Sequence, residues 1–374
     1  MGIKTGRGYV PPRHAGNPPC DEECDMSIRL PEGLLDIPPL DEAAMDAARK
    51  RLDSLAKPPG SLGRLEDLAV RLCGISGNPR LMPGRKVVLV MAGDHGVTEE
   101  GVSAFPSAVT AQMVQNFVRG GAAINVLARH VGAEVVVVDV GVAVDIPGGG
   151  HLDRKIRYGT ANMCRGPAMT RDEAVESVLV GAEIAQAKID RGAKILATGD
   201  MGIGNTTAST AILCAITGLP AAQVAGRGTG IDDAGLRRKI AAIEKALELN
   251  RPARTDALDI LSKVGGLEIG AIAGSILGAA RRRTPIIVDG FISTAAACLA
   301  RMIVPRSGDY MIGSHLSAEP GHRTGLQVAG LTPLMSLDMR LGEGTGAVLA
   351  MSLCDAALKI AGEMATFEEA QVSR

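Results

Sequence analysis

The chain has 374 residues, enough for two domains or one large domain with an appendage, and long enough to fold without a disulfide or metal staple. Lys plus Arg number 40 and Asp plus Glu 41, a net charge of −1 that excludes the strongly basic balance of a general nucleic-acid binder. Hydrophobic residues at 46% and charged residues at 22% exclude global disorder, while 2% aromatics, no Trp and 47 Gly predict an aliphatic core threaded by glycine loops.

Residues 1–32 are Pro-rich and aperiodic and read as a flexible tail with no apolar run of the signal-peptide kind. Within them Cys20 and Cys24 form a lone C-x3-C near His14, half of a metal motif in an acidic setting, and no metal is expected there. Cys73, Cys164, Cys214, Cys298 and Cys354 sit singly in apolar or mixed segments. They read as reduced core thiols of a cytoplasmic protein. Residues 40–56 have the pattern of an amphipathic helix with Asp41 as its N-cap, and a second helix starts near Leu62.

Short β-branched runs follow at 86–91, 133–138, 193–197, 285–288 and 310–312, each ending in a glycine or acid loop. Helical stretches lie between them, including 108–129, 171–191 and 232–250. Strand, loop and helix in alternation predict an α/β fold with a mostly parallel sheet. The longest uncharged stretch, 201–226, is too polar to span a bilayer, and the apolar run 269–280 is too short, so no membrane association is expected. Ligands of open parallel sheets bind at the carboxyl ends of the strands, and those ends carry Asp94, Asp139, Asp200 and Asp289. Several such loops on one rim predict a polar small-molecule site.

Three loops carry chemistry. In Gly199-Asp-Met-Gly-Ile-Gly-Asn-Thr-Thr207, Gly202 and Gly204 free backbone N–H groups at a helix start, and Asn205, Thr206 and Thr207 add side-chain donors. This is a cradle for a monophosphate; the alternative is a glycine turn whose Asn205 or Thr206 caps the helix. Gly226-Arg-Gly-Thr-Gly230 precedes a helix carrying Lys239, which either points back at an anion or lies on a solvated face. In Arg340-Leu-Gly-Glu-Gly-Thr-Gly346, Glu343 is held between glycines before an apolar helix and suits a general base, or an electrostatic cap. His95 in Gly-Asp-His-Gly-Val, with His315 and His322, leaves a metal-dependent phosphoesterase as a competing reading, and a non-catalytic nucleotide-binding module as another. The 265–270 segment reads as close packing with Glu268 as a cap.

The motifs KPPGSLGRLE (57–66), GDHGV (93–97), VSAFP with VTAQMV (102–114), GDMGIGNTT (199–207), GRGTG (226–230), DGFI (289–292), SHLSAEPGH (314–322) and RLGEGTGA (340–347) occur in one order. Together they resemble the nicotinate-nucleotide–dimethylbenzimidazole phosphoribosyltransferase family over residues 35–362. The resemblance implies a Rossmann-like domain over 81–345 and a smaller helical domain built from 33–80 and 346–374. It also implies a homodimer that uses no cofactor and no metal. The implied substrates are nicotinate mononucleotide and 5,6-dimethylbenzimidazole, and the implied products α-ribazole 5′-phosphate and nicotinate. Glu343 matches the family's general base, and Gly202, Ile203, Gly204, Asn205 and Thr206 its phosphate loop. Lys239 and Ser317 face the nucleotide, Asp289 falls at the ribose side, and Ser103, Gln112, Met201 and Leu341 fall near the base pocket. The family commonly has Glu where this chain has Asp200, a carboxylate one methylene shorter.

The chemistry suits these residues. A pyridinium leaving group takes the bonding electrons and needs no proton, whereas the incoming benzimidazole must lose its N–H proton, which one carboxylate answers. Asp200 or Asp289 would stabilise the cationic sugar electrostatically. Attack opposite the leaving group inverts the anomeric centre. Met113, Met201 and Leu341 could line a slot for a flat base, with little aromatic stacking.

Overall fold

A computed structural model describes residues 29–373; the Cys20–Cys24 pair and His14 lie outside the described residues. The chain opens with helices α1 (Glu32–Leu35), α2 (Glu42–Ser54) and α3 (Arg64–Ser76), then enters strand β1 (Arg85–Gly93). Helices α4 (Ala108–Arg119) and α5 (Ala123–Val131) lead to β2 (Ala133–Gly141), β3 (Leu152–Asp153), α6 (Arg171–Asp190) and β4 (Ala193–Met201). Helices α7 (Asn205–Thr217), α8 (Ala221–Val224), α9 (Asp233–Asn250), α10 (Ala257–Val264) and α11 (Leu267–Arg281) precede β5 (Ile286–Val288). The rest is α12 (Phe291–Ile303), β6 (Met311–Gly313), β7 (His315–Leu316), α13 (Gly321–Ala329), β8 (Met335–Ser336) and α14 (Thr345–Glu363).

Six strands form one parallel sheet in the order β3-β2-β1-β4-β5-β6, and β7 pairs with β8 separately. The expected α/β class and parallel sheet are therefore observed. Alternation along β1 divides the core in two. Val87, Leu89 and Met91 pack with α6, α7, α11 and α12 on one face. Val88, Val90 and Ala92 pack with α3, α5 and α14 on the other. Each fully buried aliphatic side chain contributes about 1.5–3 kcal/mol, so aliphatic burial on both faces replaces the missing aromatics. Helix α14 is long and apolar enough to cross a bilayer by length and composition, but half of it is buried in the protein, against α3 and α5. It also meets α2, and Leu55 bridges to Thr366 beyond its end. The five cysteines in the described residues are free and buried.

Register aligns the strand ends that matter. Met91 of β1 lies opposite Asp200 of β4 and Val138 of β2, so Gly93, Asp139 and Asp200 share one edge. The chain turns back between β1 and β4, where the strand order reverses and a crevice opens.

Two boundaries differ from expectation with consequences for that crevice. The helix expected over 108–129 is broken at Gly120-Gly121, Gly120 adopting φ +80° as the C-cap of α4. Asn125 secures the break: its Oδ1 accepts from Ala122 N–H at 3.1 Å and its Nδ2 donates to the Phe117 carbonyl at 3.0 Å. Helix α5 therefore has a free N-terminus. Helix α7 starts at Asn205, with Gly204 at φ +98° as its N-cap, so Asn205 and Thr206 belong to its first turn and neither is its cap. Asp41 caps α2 as expected, accepting from Ala44 N–H at 2.9 Å.

Candidate active site

A cavity of about 370 Å³ opens at the carboxyl edge of β4, β5 and β6. Part of its lining is polar: Asp200, Gly202, Ile203, Asn205 and Thr206 come from the end of β4 and the start of α7, and Ser317 from the loop after β7. Part is apolar, formed by Phe105, Val109, Met113, Met201 and Leu341. Glu343 lies in the wall with Gly342 and Arg340. The loops singled out in the sequence thus converge on one cavity.

Glu343 is buried, 6% exposed, and sits at φ +62° between Gly342 at +87° and Gly344 at +92°. Three consecutive left-handed residues include one that has a Cβ, a strained arrangement of the kind held only by its surroundings. Two devices hold it. Asp289, at the end of β5, accepts from Gly344 N–H at 3.1 Å and from Ala347 N–H at 2.9 Å. Ile124, in the first turn of α5, donates its N–H to Glu343 Oε2 at 3.2 Å. That donor exists because of the break at Gly120-Gly121. Burial pushes the Glu343 carboxyl above its ordinary range, the Ile124 hydrogen bond opposes this, and the charge of Asp289 adds to it.

Asp200 is buried beside it. Its Oδ2 accepts from Asn205 Nδ2 at 3.0 Å, and its Oδ1 has no hydrogen-bond partner in the protein. A Cβ at Gly342 would lie 3.0 Å from Asp200 Oδ2, so the glycine gives the carboxylate its room. Burial raises the Asp200 pKa well above the ordinary value, and the charges of Asp289, Glu268 and Glu343 raise it further, against the Asn205 hydrogen bond.

Lys239 is not on a solvated face. It is 1% exposed and its Nζ donates to Thr206 Oγ1 at 2.8 Å and to the Gly226 carbonyl at 3.1 Å. It thereby ties α9 and the 226–230 loop to the first turn of α7. Burial lowers its pKa to about 8, with Glu319 pulling the other way.

The remaining expected residues fall in different places. Gly204 lies behind the cavity wall as the N-cap of α7. Asp289 does not line the cavity: its two oxygens accept from the two backbone N–H groups above, and it braces the Glu343 loop. Ser103 is also off the wall, its Oγ accepting from Phe105 N–H at 3.2 Å, and Gln112 is exposed outside the cavity. Sequence reading missed Phe105 and Phe291, which line the cavity although the chain has only 4 Phe, so aromatic surface is more prominent at the site than composition suggested. Phe105 belongs to the VSAFP motif, and its half-exposed position beside an apolar wall was the missing signal. Glu319, also unforeseen, is buried in the wall beside Gly226.

Glu268 and His95 are corrections of another kind. Glu268 was expected as a helix cap, and His95 as a ligand in the metal-dependent alternative. They are instead paired with each other, His95 Nε2 to Glu268 Oε1 at 2.6 Å, both with almost no exposure. His315, on the cavity wall, bonds Ser314 Oγ through its Nδ1 at 3.0 Å.

Comparison with known proteins agrees with this architecture. A family model described as Phosphoribosyltransferase matches residues 37–372. The nicotinate-nucleotide–dimethylbenzimidazole phosphoribosyltransferase of Chloroflexus aggregans is 59% identical over 349 residues, covering 93% of this chain and 99% of that protein. The enzyme of the same name from Geobacter sulfurreducens is 53% identical, covering 92% of this chain and 98% of its own length. The crystal structure of the Thermus thermophilus enzyme superposes with a TM-score of 0.84 at 49% identity, covering 90% of this chain and 100% of that one. With the parallel sheet, the converging loops and these matches in hand, the chain belongs to the nicotinate-nucleotide–dimethylbenzimidazole phosphoribosyltransferase family and is a pentosyl-transferring enzyme.

Proposed function

We propose that this enzyme transfers the phosphoribosyl group of nicotinate mononucleotide to 5,6-dimethylbenzimidazole, giving α-ribazole 5′-phosphate and nicotinate. The proposal extends to a homodimer working in the cytoplasm. The phosphate rests on Gly202 to Thr206 with Lys239 behind Thr206, and Ser317 faces it across the cavity. The flat acceptor lies against Phe105, Met113, Met201 and Leu341.

A ring nitrogen lone pair of the acceptor forms the new bond to the anomeric carbon as the bond to the pyridinium nitrogen breaks. Nicotinate leaves with the bonding pair and takes no proton. The acceptor's N–H proton passes to Glu343, which neutralises the cation that would otherwise form. Attack and departure on opposite faces of the ribose invert the anomeric carbon. Asp200 has one oxygen unengaged; burial favours its neutral form in the empty site, and the positive charge developing on the oxocarbenium-like sugar favours the ionised form that stabilises it.

One observation carries the reading: a buried carboxylate on strained backbone, its pKa raised, facing the same cavity as a glycine loop and an apolar slot. A binding module has no use for that strain. The test mixes purified protein, nicotinate mononucleotide and dimethylbenzimidazole in EDTA and follows nicotinate and the new ribotide by chromatography with mass detection. Base-dependent nicotinate release with an α-configured product is expected. Nucleotide binding without nicotinate release in the presence of the base overturns the proposal, as does inorganic phosphate instead of nicotinate as the product in a parallel reaction with divalent metal and no EDTA, which returns the metal-dependent phosphoesterase.

A further inference from the structure

We infer that His95 and Glu268 form a buried positioning pair that sets the 202–206 loop and thereby the affinity for the nucleotide's phosphate; this rests on the reading of that loop as the phosphate cradle. Neither residue lines the cavity. Both lie directly behind the loop. A Cβ at Gly204 would stand 3.1 Å from His95 Cβ, and one at Gly202 would stand 3.4 Å from Glu268 Oε1. Each glycine thus has one member of the pair among its nearest neighbours, Gly202 beside the Gly93 carbonyl oxygen, which such a Cβ would meet first, and Gly204 beside Thr98.

The neighbourhood is built around the carboxylate. Cβ atoms at Gly93 and Gly266 would lie 3.0 and 2.7 Å from Glu268 Oε2, so the glycine at the end of β1 and the one opening α11 clear a slot for it. The pair thus joins the end of β1, the start of α11 and the loop after β4. Thr110, from α4, adds a strut by accepting from Ile203 N–H at 3.1 Å. His95 also fixes the turn that follows it, its carbonyl accepting from Thr98 Oγ1 at 2.9 Å, and a Cβ at Gly204 would lie 3.0 Å from Thr98 Cγ2.

A 2.6 Å contact between two groups with almost no exposure leaves little freedom for the loop to slide. Removing one member strands the other in a dry interior, where relaxation of the nearest mobile backbone is the available response. That backbone is the glycine loop. The pair acts through the loop and touches no reacting atom, so it governs nucleotide binding more than the chemical step.

The test uses the full chain with His95→Gln, Glu268→Gln and the double variant, in which two neutral amides replace the pair. Calorimetry reads nicotinate mononucleotide and dimethylbenzimidazole affinity, and steady-state kinetics separate KM from kcat. Each single variant is expected to weaken nucleotide affinity about tenfold or more. In His95→Gln, which keeps the Glu268 carboxyl, kcat at saturation should stay within about threefold, and dimethylbenzimidazole affinity should be unchanged in both; Glu268→Gln also removes a charge that acts on Asp200, so the KM-against-kcat split is read on His95→Gln. The double variant should lie closer to wild type than either single one. Nucleotide affinity within about twofold of wild type in every variant that folds overturns the inference.

Should the single variants not fold, the wild-type protein decides. Imidazole nitrogen resonances of His95 should shift when nicotinate mononucleotide binds, although the ring lies behind the wall, and an unmoved signal overturns the inference. Wild-type binding without turnover defeats the proposed function but leaves this pair readable. Normal turnover with unaffected variants defeats the pair alone, and no nucleotide binding by wild type defeats both.

Discussion

Replacing Glu343 with Gln tests the reaction at its centre. Gln has the same shape and can accept the Ile124 N–H, so the loop, its positive φ and the Asp289 brace should survive. What is lost is the proton acceptor. General-base catalysis contributes about 10²–10⁴ in rate, which at 1.36 kcal/mol per decade is about 2.7–5.4 kcal/mol of transition-state stabilisation. Nicotinate release at saturating base should fall by that factor, while nicotinate mononucleotide affinity stays within about threefold, because the carboxylate serves the acceptor and not the phosphate.

The same substitution has a stability consequence of opposite sign. The folded Glu343 carboxyl titrates above its ordinary range because of burial. Between the unfolded and folded pKa values the native state binds more protons, so stability falls as pH rises through that window. Gln removes the buried charge, and the variant should melt higher than wild type at neutral pH while matching it more closely in acid. Wild-type turnover should correspondingly begin to fall on its acid limb at a pH above the usual carboxylate range. A Gln variant that retains more than about a tenth of wild-type turnover refutes the general-base assignment, and one that melts lower at neutral pH refutes the electrostatic account.

Other perturbations probe the supports. Lys239→Met removes a charge-assisted donor worth about 1.5–3 kcal/mol and should weaken nicotinate mononucleotide binding by about 10- to 150-fold by calorimetry. Because burial lowers the Lys239 pKa to about 8, nucleotide binding to wild type should weaken as pH rises past that value, whereas apo stability should increase between about 8 and the unfolded lysine pKa. Asp289→Asn turns an acceptor of two backbone N–H bonds into a group that must face one of them with a donor; kcat should fall about 10- to 100-fold with a smaller change in nucleotide KM, as expected of a positioning residue at a cost of about 1–3 kcal/mol. Gly274→Ala, far from the cavity, drives a Cβ into the Val178 carbonyl oxygen between α11 and α6 and should lower Tm while leaving the nucleotide KM of the folded fraction unchanged.

The sequence made the strands legible because their β-branched runs end in acid and glycine, and the register confirms that these ends share an edge. Loop convergence was legible for the same reason. Helix boundaries were less so: the run 108–129 keeps its amphipathic pattern across Gly120-Gly121, and only the positive φ of Gly120 and the side chain of Asn125 end the first helix there. Lys239 looked like one of many charged helix residues because local spacing is silent about a partner 33 positions away. The His95–Glu268 pair was invisible for that reason too, with 173 positions between its members.

The carboxylates at the strand ends looked alike in sequence, and their partners separate them. Asp139 spends Oδ1 on the N–H groups of Gly141 and Val142 and Oδ2 on Lys155, so it braces the loop after β2. Asp289 gives one oxygen to each of two N–H groups at the start of α14. Asp200 keeps an oxygen with no protein partner, and Glu343 accepts a single backbone N–H while facing the cavity. An oxygen already taken by the backbone has little left to offer a substrate, whereas an unpaired buried one raises the energy of the empty site and lowers it on meeting positive charge. In the proposed reaction the ligand developing that charge is the sugar in transfer, flanked by a proton-bearing acceptor. Among these four carboxylates the fully engaged pair, Asp139 and Asp289, holds geometry, the pair that faces the cavity, Asp200 and Glu343, carries the proposed chemistry, and the strain at Glu343 persists because Asp289 and the N-terminus of α5 restrain it.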